Sequence, residues 1–327
     1  MKLLLTGATG FVGRNALLHA LPHYEEIFLP VRNPEKLRSQ LAAEGLDPAH
    51  PKLRVLSAEP KDWPAFAPDH AILGAGVLFA RNRGEYFATN VDWTLRVLQA
   101  LPETCRAILL SSLSAGGPTP PEKSARSGTD PDAPITWYGE SKLALESAVR
   151  SGFPRRALTI LRPPMILGPR DTATLPLFRM AAHPVRIKPG WKSKTYSFLA
   201  VDDLVDALFA TLGQDPLPAG RHYIAAPQPI TDRELIAGAA ATMHARGLTL
   251  PVPQAAVRLL SILVDAVPAL RASTPSLTRD RAREIWPDRW VADGADFSRL
   301  TGWQARRGLA ETLQATHAHY VREGNLR

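Results

Sequence analysis

Residues 138 to 142 read Tyr-Gly-Glu-Ser-Lys, and two of them carry chemistry at a useful spacing. On a helix, Tyr138 and Lys142 are four apart, so both occupy one face, a single turn from each other. A fixed ammonium beside a phenol favours the phenolate and lowers the tyrosine pKa. A tyrosine so placed exchanges a proton with a carbonyl or an alcohol near neutral pH. A second constellation opens the chain: Thr6-Gly7-Ala8-Thr9-Gly10-Phe11-Val12-Gly13 spaces its glycines as Gly-x-x-Gly-x-x-Gly. Between a strand and a helix, Gly7 permits the tight turn and Gly10 lets a pyrophosphate approach the helix N-terminus. Gly13 then lets that helix pack closely on the sheet. The loop, with Thr9, Phe11 and Val12, is expected to hold a dinucleotide.

The second strand predicts which dinucleotide. Val31 sits where NAD-preferring proteins place a carboxylate for the ribose hydroxyls, and Arg32 follows it. A guanidinium pairs with a 2′-phosphate through two parallel hydrogen bonds, whereas an acid would repel it. NADP is therefore expected over NAD, with Arg32 as the main contact and Lys36 as a weaker second one.

These residues need elements to position them. In the first half, short apolar runs alternate with helix-like segments, the pattern of βαβ units around a parallel sheet. Strands are expected over 2–6, 27–31, 53–57, 71–73, 107–111 and 158–161, with helices over 13–21 and 90–100. Residues 115–134 are rich in Pro, Gly, Ser and Asp and read as a long irregular loop. Asp132 followed by Pro134 reads as the start of the helix bearing Tyr138. Further on, 201–212 and 231–243 read as helices, the latter with a capping box of Thr231 and Glu234, and 221–225 as a strand. An apolar helix over 256–270, interrupted by Arg258 and Asp265, is expected in the core or against the pocket rather than on a membrane or partner. The fold class is thus α/β: a Rossmann-type doubly wound parallel sheet over 1–165, with strands returning near 199–226. Residues 166–327 are expected to form a smaller, mixed, mainly substrate-binding part.

The 327 residues are 45% apolar and 21% charged, an ordinary soluble composition able to bury a sizeable core. No run approaches the ~18 apolar residues of a membrane span. The apolar stretch at the start is too short for a signal peptide. Cys105, the lone cysteine, is expected to be a small buried residue in a reducing compartment. A cytoplasmic protein without stable membrane insertion follows as an expectation. The net charge of +8 comes without a basic run or interleaved aromatics, so nucleic acid is not an expected partner. His183, Arg186, Lys188, Lys192 and Lys194 form one basic cluster, a solvated loop or a contact for an anionic substrate. His183, Trp191, Tyr196 and Phe198 are candidates either for the pocket wall or for core and loop. No metal site is expected.

Taken together, the chain resembles an extended short-chain dehydrogenase/reductase of the epimerase/dehydratase-like superfamily. The matching residues are the Gly7–Gly13 loop, Thr89-Asn90-Val91, Leu110-Ser111-Ser112 and the Tyr138–Lys142 pentapeptide. Leu161-Arg162-Pro163-Pro164-Met165, Val201-Asp202-Asp203-Leu204-Val205 and Leu300-Thr301-Gly302-Trp303 extend the match over nearly the whole chain. The resemblance implies Tyr138 as proton donor or acceptor, with Lys142 lowering its pKa and hydrogen-bonding the nicotinamide ribose. It implies an active serine after the fifth strand, Ser112 or alternatively Ser114, that hydrogen-bonds the developing alkoxide. Asn90 would shape the cofactor pocket from a helix start, and Pro163 to Met165 would flank the nicotinamide. Many relatives dimerise through the tyrosine helix, so a homodimer is an expectation.

Departures narrow the chemistry. Dehydratases of the superfamily carry Thr-Asp-Glu where this chain has Ser112-Leu113-Ser114, so the acid/base pair for eliminating water is missing. Arg162-Pro163-Pro164-Met165 is similar to the dihydroflavonol-reductase and 3β-hydroxysteroid-dehydrogenase branches rather than to nucleotide-sugar epimerases. Ala58-Glu59 replaces a usual Gly-Asp at the adenine contact. The leading expectation is an NADP-dependent oxidoreductase acting on a ketone or aldehyde of a hydrophobic small molecule, or on the corresponding alcohol. A nucleotide-sugar epimerase with tightly bound NAD(P), and a non-catalytic NAD(P)-binding sensor or assembly factor, are the alternatives.

Overall fold

Leu3, Leu4 and Leu5 are fully buried, a run that only a strand covered on both faces tolerates. In the computed structural model, which describes residues 1–326, that strand is β1 (Lys2–Thr6), an interior strand of a seven-stranded sheet. Its partners are β2 (Glu26–Pro30), β3 (Leu53–Leu56), β4 (His70–Leu73), β5 (Arg106–Leu110), β6 (Leu158–Arg162) and β7 (Gly220–Tyr223). The order across the sheet is β3-β2-β1-β4-β5-β6-β7, parallel throughout. Alternating side chains of β1 feed two cores. Leu3 and Leu5 pack with the helices Phe11–Ala20 and Val201–Leu212, and Leu4 with Trp93–Ala100 and Trp137–Gly152. The expected doubly wound sheet is present. β1 and β4 are neighbours although two strands separate them in sequence, so the winding reverses between them. The crevice beyond the carboxyl ends of strands at such a point is where ligands bind in this architecture.

Two boundaries shift for reasons the structure supplies. The helix bearing Tyr138 starts at Trp137, because the Thr136 hydroxyl caps it by accepting from the Gly139 amide at 3.3 Å. Asp132 is drawn away instead to the guanidinium groups of Arg162 and Arg221. Asn90 does not begin a helix; it lies in a π turn, Ala88–Asp92, set between the helical segments Arg83–Phe87 and Trp93–Ala100. Such turns insert one extra residue and recur at functional sites.

The remaining residues add small sheets: Met165–Leu167 with Phe198–Ala200, Thr195–Tyr196 between Ile230–Thr231 and Arg289–Trp290, and Val185–Pro189 with Leu248–Val252. The capping box of Thr231 and Glu234 forms as its spacing predicts. Cys105 is buried, which pushes its thiol pKa up to about 12. Two other expectations fail. The apolar stretch at 256–270 is neither core nor pocket wall: it folds into Gln254–Ala266 and Pro268–Ser273, and only Ser261 and Val264 of the first helix are buried. The basic cluster does not form one face either. Arg186 donates to the carbonyls of Ala181 and Ala245, Lys188 pairs with Asp232 at 2.9 Å, and Lys194 donates to the Trp286 carbonyl. All three are buried, while His183 and Lys192 are exposed. Among the described residues no helix is long and apolar enough to cross a membrane.

Candidate active site

A cleft of about 1170 Å³ opens at the carboxyl ends of β1, β4 and β5. Gly7, Thr9, Gly10, Phe11, Val12, Gly13, Arg32, Lys36, Ser112, Tyr138, Lys142, Pro163 and Met165 all line it. Residues separated by most of the chain are thus brought together as the motifs predicted. Asn90 is the exception. It is fully buried behind the wall, where Oδ1 accepts from the Val77 amide at 2.8 Å and Nδ2 donates to the Ser141 hydroxyl at 2.9 Å. It shapes the cleft by tying the loop after β4 to the tyrosine helix. Of the four further wall candidates, only Tyr196 lines the cleft; Phe198 is core, and His183 and Trp191 face solvent.

The glycine loop fits a pyrophosphate. Gly7 has a φ of +78°, in the left-handed region, and a Cβ on Gly13 would stand 2.0 Å from the Gly7 carbonyl oxygen. The helix Phe11–Ala20 therefore approaches the strand end as only glycine allows. Its N-cap is Gly10, with no side-chain cap, so the first-turn amides are left to a ligand. Arg32 and Lys36 lie on the same cleft at the end of β2, and Trp93 and Arg96 line it nearby, the latter two unmarked by the motifs. The Trp93 indole donates to the Ala58 carbonyl at 2.7 Å, covering the place of the usual Gly-Asp.

At the other end, Tyr138 and Ser112 meet on the cleft wall, and the Ser112 side chain favours the phenolate. Ser112 also caps a one-turn helix, Leu113–Gly116, accepting from the Ser114 amide at 3.1 Å. Ser111 is committed elsewhere: its hydroxyl donates to Glu146. The Lys142 ammonium is 6.0 Å from the Tyr138 ring centre and donates to the Leu110 carbonyl at 2.9 Å. Burial dominates both titrations. It pushes the Tyr138 phenol up to about 12 and pulls Lys142 down to about 8, with Glu146 partly restoring the latter. The expected lowering of the tyrosine by Lys142 is therefore not what the geometry produces. The opposing positive charge on Tyr138 comes first from Arg281, whose guanidinium carbon lies 5.3 Å from the ring centre.

Two sets of residues escaped the motif reading. Arg162, inside the Leu-Arg-Pro-Pro stretch, is buried and holds Glu146 through two bonds of 2.8 and 2.6 Å, with Asp132 at 2.7 Å and the Tyr223 hydroxyl at 2.9 Å. Those carboxylates raise its pKa against the cost of burial. Glu146 follows Lys142 by four residues, so the spacing that joins Tyr138 to Lys142 continues into this pair and anchors the helix to β6. The second set is the turn Arg281–Ile285. The Asp280 carboxylate accepts from the Trp137 amide, Glu284 accepts from the Thr136 hydroxyl at 2.9 Å, and Arg281, Glu284 and Trp290 line the cleft. No local pattern marks this contact across more than a hundred residues.

The reversed parallel sheet, the glycine cradle and the Tyr138–Lys142 helix define an enzyme of the extended short-chain dehydrogenase/reductase type that uses a nicotinamide dinucleotide. The chain belongs to the NAD dependent epimerase/dehydratase family, whose profile matches residues 3–226. Over 98% of its length it is 28% identical to a protein described as ceramide reductase from Caulobacter vibrioides, 94% of which is covered. Among solved structures it is similar to MoeE5 in complex with UDP-glucuronic acid and NAD, with a TM-score of 0.74 and 19% identity over 99% of this chain and all of that one. It is likewise similar to RMD from Pseudomonas aeruginosa complexed with NADPH, with a TM-score of 0.69 and 20% identity over 98% and 99% of the two chains. A UDP-glucuronic acid 4-epimerase from Bacillus cereus in complex with NAD gives a TM-score of 0.74 at 17% identity over the full length of both chains. At these identities the likeness is one of fold.

Proposed function

We propose that the protein is an NADP-dependent oxidoreductase that reduces a ketone or aldehyde on an aliphatic, lipid-like molecule, or oxidises the corresponding alcohol. The observation that carries this reading is the meeting of Tyr138, Ser112 and Lys142 at a cleft end whose other walls are largely apolar: Leu78, Pro163, Pro164, Met165, Ile166 and Trp290. The Ser-Leu-Ser sequence at 112–114 supplies no carboxylate for elimination, which favours a single exchange of hydride and proton. The name of the Caulobacter relative supports a lipid substrate. Arg32 and Lys36 would take the 2′-phosphate, the Gly7–Gly13 loop the pyrophosphate, and Pro163 and Met165 would flank the nicotinamide.

When bound, the cofactor supplies the hydride. Ser112 holds the substrate oxygen in place and Tyr138 gives it a proton, while Lys142, fixed by the Leu110 carbonyl, keeps a positive charge behind the phenol. Arg281 adds a second charge.

The test is a screen of aliphatic ketones and aldehydes for oxidation of NADPH and NADH, with Tyr138→Phe as control. Turnover is expected to fall by roughly 10²- to 10⁴-fold in the variant while NADPH binding is nearly unchanged. A variant that turns over normally overturns the assignment. Epimerisation of a nucleotide sugar without net cofactor oxidation would replace it.

A further inference from the structure

Two consecutive elements of the C-terminal part turn their apolar side chains the wrong way for a soluble surface. In the ribbon of Val185–Pro189 and Leu248–Val252, the register sets Val185 beside Leu248 and Ile187 beside Leu250. These four aliphatic residues face solvent, Leu248 with 72% of its surface, while the alternating Arg186 and Lys188 turn inward. Pro253 alone separates the ribbon from the helix Gln254–Ala266. That helix rests on the protein through Ser261 and Val264 and presents Leu259, Leu260, Ile262 and Leu263 outward. A surface helix ordinarily does the reverse. Exposed apolar surface on this scale marks an interaction site.

We infer that this face docks on an anionic lipid bilayer and holds the mouth of the cleft at the membrane surface. Charge selects the occupant. Arg258, Arg279 and Arg283 are exposed around the helix, and Asp265, the single acid within it, already accepts from the Arg279 amide at 3.2 Å. Cations flanking an apolar helix face match anionic headgroups above acyl chains. A second copy of the chain, joined by a two-fold axis, would set the same cations against each other. Trp191, 65% exposed beside the exposed Lys192, is a residue pair suited to the headgroup layer. The helices also border the opening. Arg271 donates to the Arg81 carbonyl, just beyond the cleft-lining Leu78, and the turn that follows them carries Arg281 and Glu284. This placement deepens the proposed function and rests on it for its purpose: a lipid-like carbonyl would pass from the bilayer into the cleft.

The experiment is flotation of the full chain with vesicles of phosphatidylcholine alone and of phosphatidylcholine with phosphatidylglycerol. The native chain is expected to float with the anionic vesicles. Leu259→Glu/Leu263→Glu is expected to lose at least nine-tenths of that binding with an unchanged melting curve, and Leu248→Thr/Leu250→Thr to lose part of it. Absence of flotation with either composition overturns the inference, as does a Glu variant that floats like the native chain. Equal flotation with neutral vesicles overturns the anionic requirement. A native dimer that the Glu variant converts to monomer without vesicles assigns the face to a second copy instead. Flotation without any carbonyl turnover would leave the docking standing and refute the oxidoreductase reading, and turnover of a water-soluble ketone without flotation would do the opposite.

Discussion

The Arg281 guanidinium carbon lies 5.3 Å from the centre of the Tyr138 ring and, through its terminal nitrogens, holds both oxygens of Glu284. Burial raises the phenol pKa, and the nearest counterweight is this arginine from the far end of the chain. Tyr138 is thereby tuned by a cation that faces it from another part of the fold, not by the one on its own helix.

Removing Arg281 withdraws a positive charge, so the tyrosine pKa moves further up. In alcohol oxidation the phenolate is the proton acceptor, and each unit of increase lowers its fraction at fixed pH about tenfold. Arg281→Met is therefore expected to displace the rise of kcat/KM with pH to higher pH. Arg281→Lys, which keeps the charge, is expected to restore most of the profile. An unmoved profile in the Met variant would show that Arg281 does not act on the phenol.

Lys142 is a stability liability at neutral pH. Its pKa falls from 10.5 in the free side chain to about 8 in the fold, so between those values the unfolded chain binds the proton and the folded one does not. Stability rises with pH across that interval, and below it the fold carries the full cost of a buried ammonium. Lys142→Met is expected to raise unfolding stability at pH 7 by on the order of 2 kcal/mol, after loss of the bond to the Leu110 carbonyl. The gain should shrink towards pH 10.5 in urea titrations, while activity is lost at every pH.

The Glu146–Arg162 pair behaves in the opposite way. Glu146→Leu leaves a buried guanidinium with two of its four hydrogen bonds, at a cost of about 3–5 kcal/mol in urea unfolding. Glu146→Leu combined with Arg162→Leu should be less damaging than the two single losses added together, because the stranded charge is gone. Additive losses would mean that the pair is not coupled.

Arg32→Ala is expected to weaken NADPH binding by about 10- to 100-fold, the loss of charge-assisted bonds to a phosphate, and to leave NADH binding unchanged. Equal losses for both cofactors in fluorescence titrations would remove Arg32 from the 2′-phosphate site.

The parts of the fold visible in the sequence are those built from neighbours in the chain. The glycine loop, the apolar run of β1 and the four-residue spacing of Tyr138 and Lys142 are local, and the structure keeps them. Glu146 was open to the same spacing rule, one turn beyond Lys142, although its partner Arg162 lies on the next strand. Asp280, Arg281 and Glu284 reach the tyrosine helix through tertiary packing, which no local pattern encodes. The basic cluster and the 254–266 helix misled for a related reason: composition does not say which face a side chain takes. Arg186, Lys188 and Lys194 turn inward to carbonyls and Asp232, and leucines occupy the outside.

The hold of Asp280 and Glu284 on the start of the tyrosine helix bears on how such enzymes can be recombined. Residues 280–284 lie beyond the segment matched by the family profile, yet they seat the backbone of Trp137 and the hydroxyl of Thr136. A chimera that exchanged the C-terminal part would also exchange the clamp on the tyrosine helix and the cation beside the Tyr138 ring. On the proposed function, selectivity and reactivity would be inherited together, and neither would be a free cassette.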